Sequence, residues 1–241
     1  MKLSVNLNKV ALLRNSRGED FPNLEYFANK AIDLGVNGLT LHPRPDHRHA
    51  TSKDVINLAK ISKERGVEFN IEGNPKENSF VELVLETNPE QVTLVPDSST
   101  QLTSDHGWDT IKEFDYLKDI ISLFKSKNIR TSIFVDPVEK MIEGAARVGT
   151  DRIELYTEFY AANYESNKEE AIKDYIKAAK VANNLNIGIN AGHDLNLINL
   201  QYFYSKIENL KEVSIGHALI ADALYYGMEN TVGMYLKCLK P

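Results

Sequence analysis

The feature that most constrains this chain is a unit recurring eight times: a short β-branched run, a loop, then a helical pattern. Spread over 241 residues, that is about 30 residues per unit, the size of one repeat of a (β/α)8 barrel. Strands are predicted near Leu3–Asn6, Gly38–Leu41, Glu68–Ile71, Gln91–Val95, Thr131–Val135, Arg152–Leu155, Ile187–Asn190 and Val213–Ile215. Helices are predicted over Leu24–Leu34, Lys53–Arg65, Ser79–Glu86, Ile111–Lys127, Val138–Val148, Glu169–Asn184 and Asn196–Lys206, with a last one from about Ala218. Ile111, Phe114, Leu117, Ile121 and Phe124 make one apolar stripe at helical spacing. Gly35, Gly66 and Gly149 sit just past helix ends, where a left-handed residue is wanted. Thr51 and Asp54 have the spacing of a capping box. The rival architecture is a doubly wound open sheet. No G-x-G-x-x-G follows the first strand, where the turn reads Asn8-Lys9-Val10-Ala11, so the barrel is favoured. The expectation is an α/β protein, a single TIM-barrel domain over residues 1–241, its catalytic face at the C-terminal ends of the strands.

Composition removes other classes. The net charge is −6, against the basic balance of a nucleic-acid binder. Cys238 is the only cysteine, which excludes an internal disulfide and leaves zinc motifs without sulfur ligands. No run approaches the ~18 apolar residues of a membrane span. Leu3, Val5 and Leu7 alternate with polar residues from the start, the pattern of a strand and not of a signal peptide. The expectation is a cytoplasmic protein with no nucleic-acid or membrane partner.

Because barrel chemistry sits where strands end, the residues there are the candidates. Strand 1 delivers Asn6 and Asn8, strand 2 His42, strand 3 Glu72; strand 7 leads into His193 and strand 8 into Gly216-His217. Three of six histidines end strands, and His47 and His49 lie in the loop after strand 2. His42 and His193 suit acid–base work, since imidazole exchanges protons near neutral pH. Glu72 ends an apolar strand, where partial desolvation raises a carboxyl's pKa into the range of a usable base. Glu154 alternates into the barrel interior and needs a hydrogen-bonding partner there. Gly192 and Gly216 permit close backbone approach of an anion in the loops after strands 7 and 8. Arg44, Arg48 and His49 crowd the loop after strand 2, and Arg14 and Arg17 the loop after strand 1. Arginine forks match phosphate oxygens; for Arg14 and Arg48 a solvated role is preferred. The polar connection Pro96–Trp108 has the length of a lid. A metal-dependent sugar-phosphate isomerase or epimerase is the alternative. It would want several carboxylates at one point, whereas Glu72 and Glu154 stand on strands far apart around the ring. Schiff-base chemistry would want a lysine at a strand end; Lys9, in a loop, is the only one close.

Ser4-Val5-Asn6-Leu7-Asn8, Leu13-Arg14-Asn15-Ser16-Arg17-Gly18 and Gly38-Leu39-Thr40-Leu41-His42-Pro43-Arg44 together form a specific pattern. It continues, in order, through Asp46, Arg48-His49, Asn70-Ile71-Glu72, Leu94-Val95-Pro96-Asp97, Asn190-Ala191-Gly192-His193 and Ile215-Gly216-His217-Ala218. Over essentially its whole length the chain resembles the pyridoxine 5′-phosphate synthases of the deoxyxylulose-phosphate route. The resemblance implies a (β/α)8 barrel that condenses 3-amino-2-oxopropyl phosphate with 1-deoxy-D-xylulose 5-phosphate, without a cofactor or metal, giving pyridoxine 5′-phosphate, phosphate and water. It implies His42 and Glu72 as proton acceptors, His193 as proton donor and Glu154 as a transition-state stabiliser. It places Asn6, Arg17, Gly216 and His217 on the amino-ketone phosphate, and Arg44, His49 and Thr103 on the deoxyxylulose phosphate. It also implies a homo-octamer. Two positions depart from the pattern. Asn8-Lys9 stands where many members have Asp-His, at positions that contact the deoxyxylulose phosphate. Asp194 stands where many have glycine, a place it can fill through its backbone N–H.

Overall fold

A computed structural model describes residues 1–98, 101 and 103–240. The eight strands are β1 (Lys2–Asn6), β2 (Gly38–Leu41), β3 (Glu68–Gly73), β4 (Gln91–Leu94), β5 (Arg130–Val135), β6 (Arg152–Tyr156), β7 (Gly188–Gly192) and β8 (Leu210–Ile215). All pair in parallel and in sequence order, and β8 closes on β1 to complete a barrel. Eleven helices accompany them among the described residues: α1 (Asn8–Asn15), α2 (Leu24–Asp33), α3 (Ser52–Arg65), α4 (Asn78–Thr87), α5 (Phe114–Ser126), α6 (Glu139–Val148), α7 (Glu158–Ala171), α8 (Lys173–Asn184), α9 (Leu200–Lys206), α10 (His217–Tyr226) and α11 (Met228–Cys238).

The strands alternate because the two surfaces of the barrel differ chemically. Leu3, Val5, Leu39, Leu41, Phe69, Ile71, Val92, Leu94, Ile133, Ile153, Leu155, Ile189, Val213 and Ile215 are buried in the hydrophobic core; facing the helices, they supply most of the burial free energy at roughly 25 cal/mol per Å2. The opposite face of each strand lines a polar interior. Its middle row is joined by hydrogen bonds: Ser4 Oγ to Thr40 Oγ1 at 2.7 Å, Ser214 Oγ to Thr40 Oγ1 at 3.3 Å and Thr93 Oγ1 to Asn70 Oδ1 at 3.0 Å. The floor row is charged, with Lys2 and Arg130 on Glu68, and Arg152 near Glu212. Floor, middle and rim rows lie two residues apart along each strand, or about 6–7 Å.

The Thr51–Asp54 capping box is complete: Thr51 Oγ1 accepts from the Asp54 N–H at 3.3 Å, and Asp54 accepts from the Thr51 N–H at 2.8 Å. Gly66 and Gly149 end α3 and α6 in the left-handed region, at φ of 67° and 85°.

Several elements differ from the sequence expectation. Asn8 and Lys9, expected in a loop, open α1, and Arg14 lies on its last turn. Helix α7 was not expected except for its last three residues, where the predicted Glu169–Asn184 helix begins. Helix α5 begins at Phe114, which leaves Ile111 outside it and half exposed. The segment expected as helical from Asn196 turns helical only at Leu200, and the single final helix is two, broken at Gly227 with φ of +74°. The expected lid, Pro96–Trp108, includes residues 99, 100 and 102, which lie outside the described residues.

Candidate active site

At the C-terminal rim, β1 ends in Asn6, whose Oδ1 accepts from the Asn8 N–H at 3.0 Å. Asn8 Oδ1 in turn accepts from the His42 N–H at 2.9 Å, which ties the start of α1 to the end of β2. Asn6 Nδ2 donates to Glu72 Oε2 at 3.3 Å across the barrel mouth. Asn6 also lies against Gly216: a Cβ there would meet Asn6 Cβ at 3.1 Å and its Oδ1 at 3.3 Å, so glycine lets the ends of β8 and β1 come together. Asn6, Asn8, His42, Glu72 and Gly216 therefore share one wall.

Burial sets the protonation of this wall. It pushes the Glu72 carboxyl up to about 7, with His193 nearby opposing the rise. It pushes the His42 imidazole down to about 3, helped by the positive charges of Arg44 and Arg48. His49 is lowered to about 3 too, first by burial and then by His42, Arg44 and Lys9. Both imidazoles are thus neutral bases at neutral pH, and Glu72 titrates there. His49 Nδ1 accepts from the Ala50 N–H at 3.0 Å, so in the neutral ring the proton sits on Nε2, which is left as a donor.

Glu154 is buried, 3.5 Å from Thr93 Oγ1. Burial raises its carboxyl well above the ordinary range, and the charge of Glu72 raises it further. Their strands are distant around the ring, as expected, yet the Glu154 carboxyl reaches far enough inward to feel the charge of Glu72. Glycine at 192 makes room for this, since a Cβ would lie 2.5 Å from Glu154 Oε1. Among the described residues, no group of three or more His, Cys, Asp or Glu is arranged to hold a metal ion.

His193 closes the opposite wall. Its Nε2 is 3.1 Å from Thr103 Oγ1 and its Nδ1 2.7 Å from Asp194 Oδ2. Tyr156 meets its ring edge-on at 5.2 Å, with Phe134 tilted against Tyr156 at 5.3 Å. His217, at the first turn of α10, is exposed, and its charge helps hold the Asp194 carboxyl low.

Arg44 is buried and pairs with Asp97, while also donating to the Gln101 carbonyl. Ser104 Oγ donates to the same Asp97 oxygen at 2.8 Å. Arg44 therefore grips the loop after β4, a contact the sequence reading missed although it quoted Asp97. Arg14 pairs bidentately with Asp54 at 2.5 and 2.8 Å and is mostly buried, not the solvated residue expected, because Asp54 compensates its charge. Arg17 is exposed in the turn after α1, and no hydrogen bond or ion pair described here joins it to Asn6, Gly216 or His217. Tyr156, Phe134 and Ser214 were also missed. The parity that turned Glu154 inward also turns Tyr156 inward, which was the available signal.

A parallel barrel whose mouth carries neutral imidazoles and a carboxyl raised to about 7 belongs to the class of (β/α)8 barrels equipped for acid–base chemistry at their strand ends. The family model of pyridoxal phosphate biosynthesis protein PdxJ matches residues 3–241, and the chain belongs to that family. It is 55% identical over 239 residues to a pyridoxine 5′-phosphate synthase of Christiangramia forsetii, covering 99% of each chain. Identity to the enzyme of that name from Cytophaga hutchinsonii is 56% over 239 residues, again 99% of each. Among solved structures, thiamine phosphate pyrophosphorylase from Pyrococcus furiosus is similar at a TM-score of 0.61 and 12% identity, covering 99% of this chain and 95% of that one. The 3-keto-L-gulonate-6-phosphate decarboxylase of Vibrio cholerae is similar at 0.65 and 9%, covering 99% and 96%. At such identities the likeness is one of fold alone.

Proposed function

We propose that the protein condenses 3-amino-2-oxopropyl phosphate with 1-deoxy-D-xylulose 5-phosphate to pyridoxine 5′-phosphate, releasing phosphate and water. The observation that carries this is the mouth of the barrel, where His42, Glu72 and His193 stand at the strand ends, with burial holding His42 neutral and raising the Glu72 carboxyl to about 7. Joining an amine to a ketone, expelling water and phosphate, and closing an aromatic ring need protons taken and given at several atoms. A neutral His42 and an ionised Glu72 accept protons; His193 donates them; Glu154, kept neutral by burial, donates a hydrogen bond to developing negative charge. Each well-placed acid or base is worth roughly 10^2–10^4-fold in rate. Asn6, Gly216, His217 and Arg17 hold the amino-ketone phosphate. Lys9, His49, Arg44, Thr103 and Asn8 hold the deoxyxylulose phosphate. Membership of the PdxJ family supports this reading and does not favour the metal-dependent isomerase.

The protein works in the cytoplasm as a homo-oligomer, an octamer by the family resemblance. Leu12 and Leu13 on α1 and Leu224, Tyr225 and Tyr226 on α10 are exposed apolar surface that self-association would cover. The test is to mix purified protein with both phosphorylated substrates and follow pyridoxine 5′-phosphate by absorbance, in the presence and absence of a strong chelator. Product in both arms is expected. Absence of product, or its loss with chelator, overturns the reading. Solution mass decides the oligomer.

A further inference from the structure

His193 stands at an unusual point of the chain. Its φ is +74°, in the left-handed region that side chains seldom adopt, immediately after Gly192 ends β7. The next peptide closes a tight turn, the Leu195 N–H donating to the His193 carbonyl at 2.7 Å. Asn199 Nδ2 holds the Asp194 carbonyl at 3.3 Å. The backbone is thereby fixed so that two successive side chains meet, with His193 Nδ1 against Asp194 Oδ2 at 2.7 Å. Non-glycine residues keep such a conformation where surrounding contacts over-determine it, and they cluster at active sites.

We propose that Asp194 is a positioning residue: by accepting from Nδ1–H it orients the His193 ring so that Nε2–H is the proton delivered, it favours the protonated ring, and it is not a substrate ligand. This rests on the reading of His193 as the proton donor. The chemistry follows from the two ring nitrogens. A carboxylate accepting from Nδ1–H fixes which nitrogen faces the substrate, here Nε2, already directed at Thr103 Oγ1. It also favours the imidazolium, because an opposite charge at hydrogen-bond distance stabilises the charged ring. The structure carries the reciprocal effect: the hydrogen bond from His193 is the chief cause holding the Asp194 carboxyl below its ordinary range. The other groups facing the pair are Glu72 from β3, Tyr156 from β6 and His217 from α10; Asp105 and Asp136 stand near Tyr156. Of these, Asp194 alone is hydrogen-bonded to Nδ1 among the described contacts.

An acid must be protonated before it can act, so losing Asp194 matters most where His193 is hardest to protonate. Asp194→Asn and Asp194→Gly are compared with wild type by steady-state kinetics from pH 6 to 9 and by NMR titration of histidine-labelled protein, with the His193 resonance assigned from its absence in His193→Asn. The expected result is a His193 titration midpoint lower by about one pH unit. With it comes a kcat loss that is small at pH 6 and about tenfold at pH 8, while KM for both substrates stays within about twofold. Asp194→Glu restores part of the midpoint. A kcat loss equal at every pH, an unmoved midpoint, or a KM rise for either substrate at constant kcat overturns the proposal, the last marking Asp194 as a ligand. If His193→Asn turns over normally, the donor assignment fails by itself, while the titration still reports whether Asp194 holds the ring's proton.

Discussion

At the scale of single residues, Glu72 trades stability for chemistry. Its carboxyl is raised to about 7 by burial, so its neutral form is the one the fold prefers. Such a group contributes its full stability below its unfolded value near 4.5, and that contribution is lost as pH rises through about 7. Glu72→Gln mimics the neutral form. Its turnover is expected to fall at least about 100-fold, because an amide takes no proton. Its melting temperature is expected to match wild type at pH 5 and exceed it at pH 8.5, where of order 1–3 kcal/mol of charge burial is relieved. Melting curves at both pH values check this, and a difference that does not change with pH refutes it. Lys9 carries the other residue-scale expectation. His49 is held neutral and Arg44 is engaged by Asp97, so under the proposed function Lys9 is the residue whose positive charge is put to the test on the deoxyxylulose phosphate. Lys9→Ala should weaken that substrate and spare the amino-ketone. Lys9→His should bind it progressively worse as pH rises through the histidine range, since the cation is the better phosphate partner. Unchanged affinity in Lys9→Ala would mean that the side chain serves only solvent.

At the scale of elements, legibility followed hydrophobic pattern. Helices α2, α5, α6 and α8 were visible because each buries one apolar stripe, such as Leu117, Ile121 and Phe124 on α5. Helix α1 was not, because Leu12 and Leu13 face outward and blur the stripe. Helix α7 was missed for a related reason: it buries only Tyr160 and Ala171, and its backbone breaks at Asn167, with φ of −162° and ψ of 87°. What fixes α1 is a polar junction with no periodic signature. Arg14 reaches Asp54, already bonded to Thr51, and Asn15 Nδ2 is 2.7 Å from the His49 carbonyl. Asp54→Ala removes the capping box and the ion pair together. A cap costs about 0.5–2 kcal/mol, and for a domain of this size each kcal/mol is about 2–4 °C in melting temperature. A fall of about 3–8 °C is expected, with a raised KM for the deoxyxylulose phosphate because the His49 loop loosens. A change below 1 °C would show that the junction is not a structural tie.

At the scale of the whole molecule, the barrel's polar interior explains both what the sequence shows and what it hides. Strands were legible as short β-branched runs because the helix-facing side is apolar, and alternation within them exposed Glu154 and, unread, Tyr156. Contacts across the axis were hidden, since sequence spacing places a residue on the ring and says nothing of how far its side chain reaches inward. The floor is the test of this architecture. Arg152 Nη1 lies 3.0 Å from Asn190 Oδ1 and 3.8 Å from Glu212 Oε2, and its stem covers Gly188, where a Cβ would lie 2.8 Å from Arg152 Cγ. Burial raises the Glu212 carboxyl, and Arg152 is the largest influence opposing that rise. Arg152→Met leaves a buried carboxylate short of its cation, a loss that costs about 3–5 kcal/mol where burial is complete. Glu212 can escape by taking a proton. With its folded pKa raised further, the variant keeps its stability below the unfolded value near 4.5 and loses it as pH rises through the folded one. The melting temperature of Arg152→Met is therefore expected to fall about 6–15 °C below wild type at pH 8, with the gap narrowing toward pH 5. Arg152→Met with Glu212→Gln should recover much of the loss, because removing both charges leaves none unpaired. Turnover at 25 °C should hold, since the floor lies about 13 Å below the rim, four residues along a strand. A pH-independent loss, or a double variant no better than the single, would show that the floor is packing and not charge.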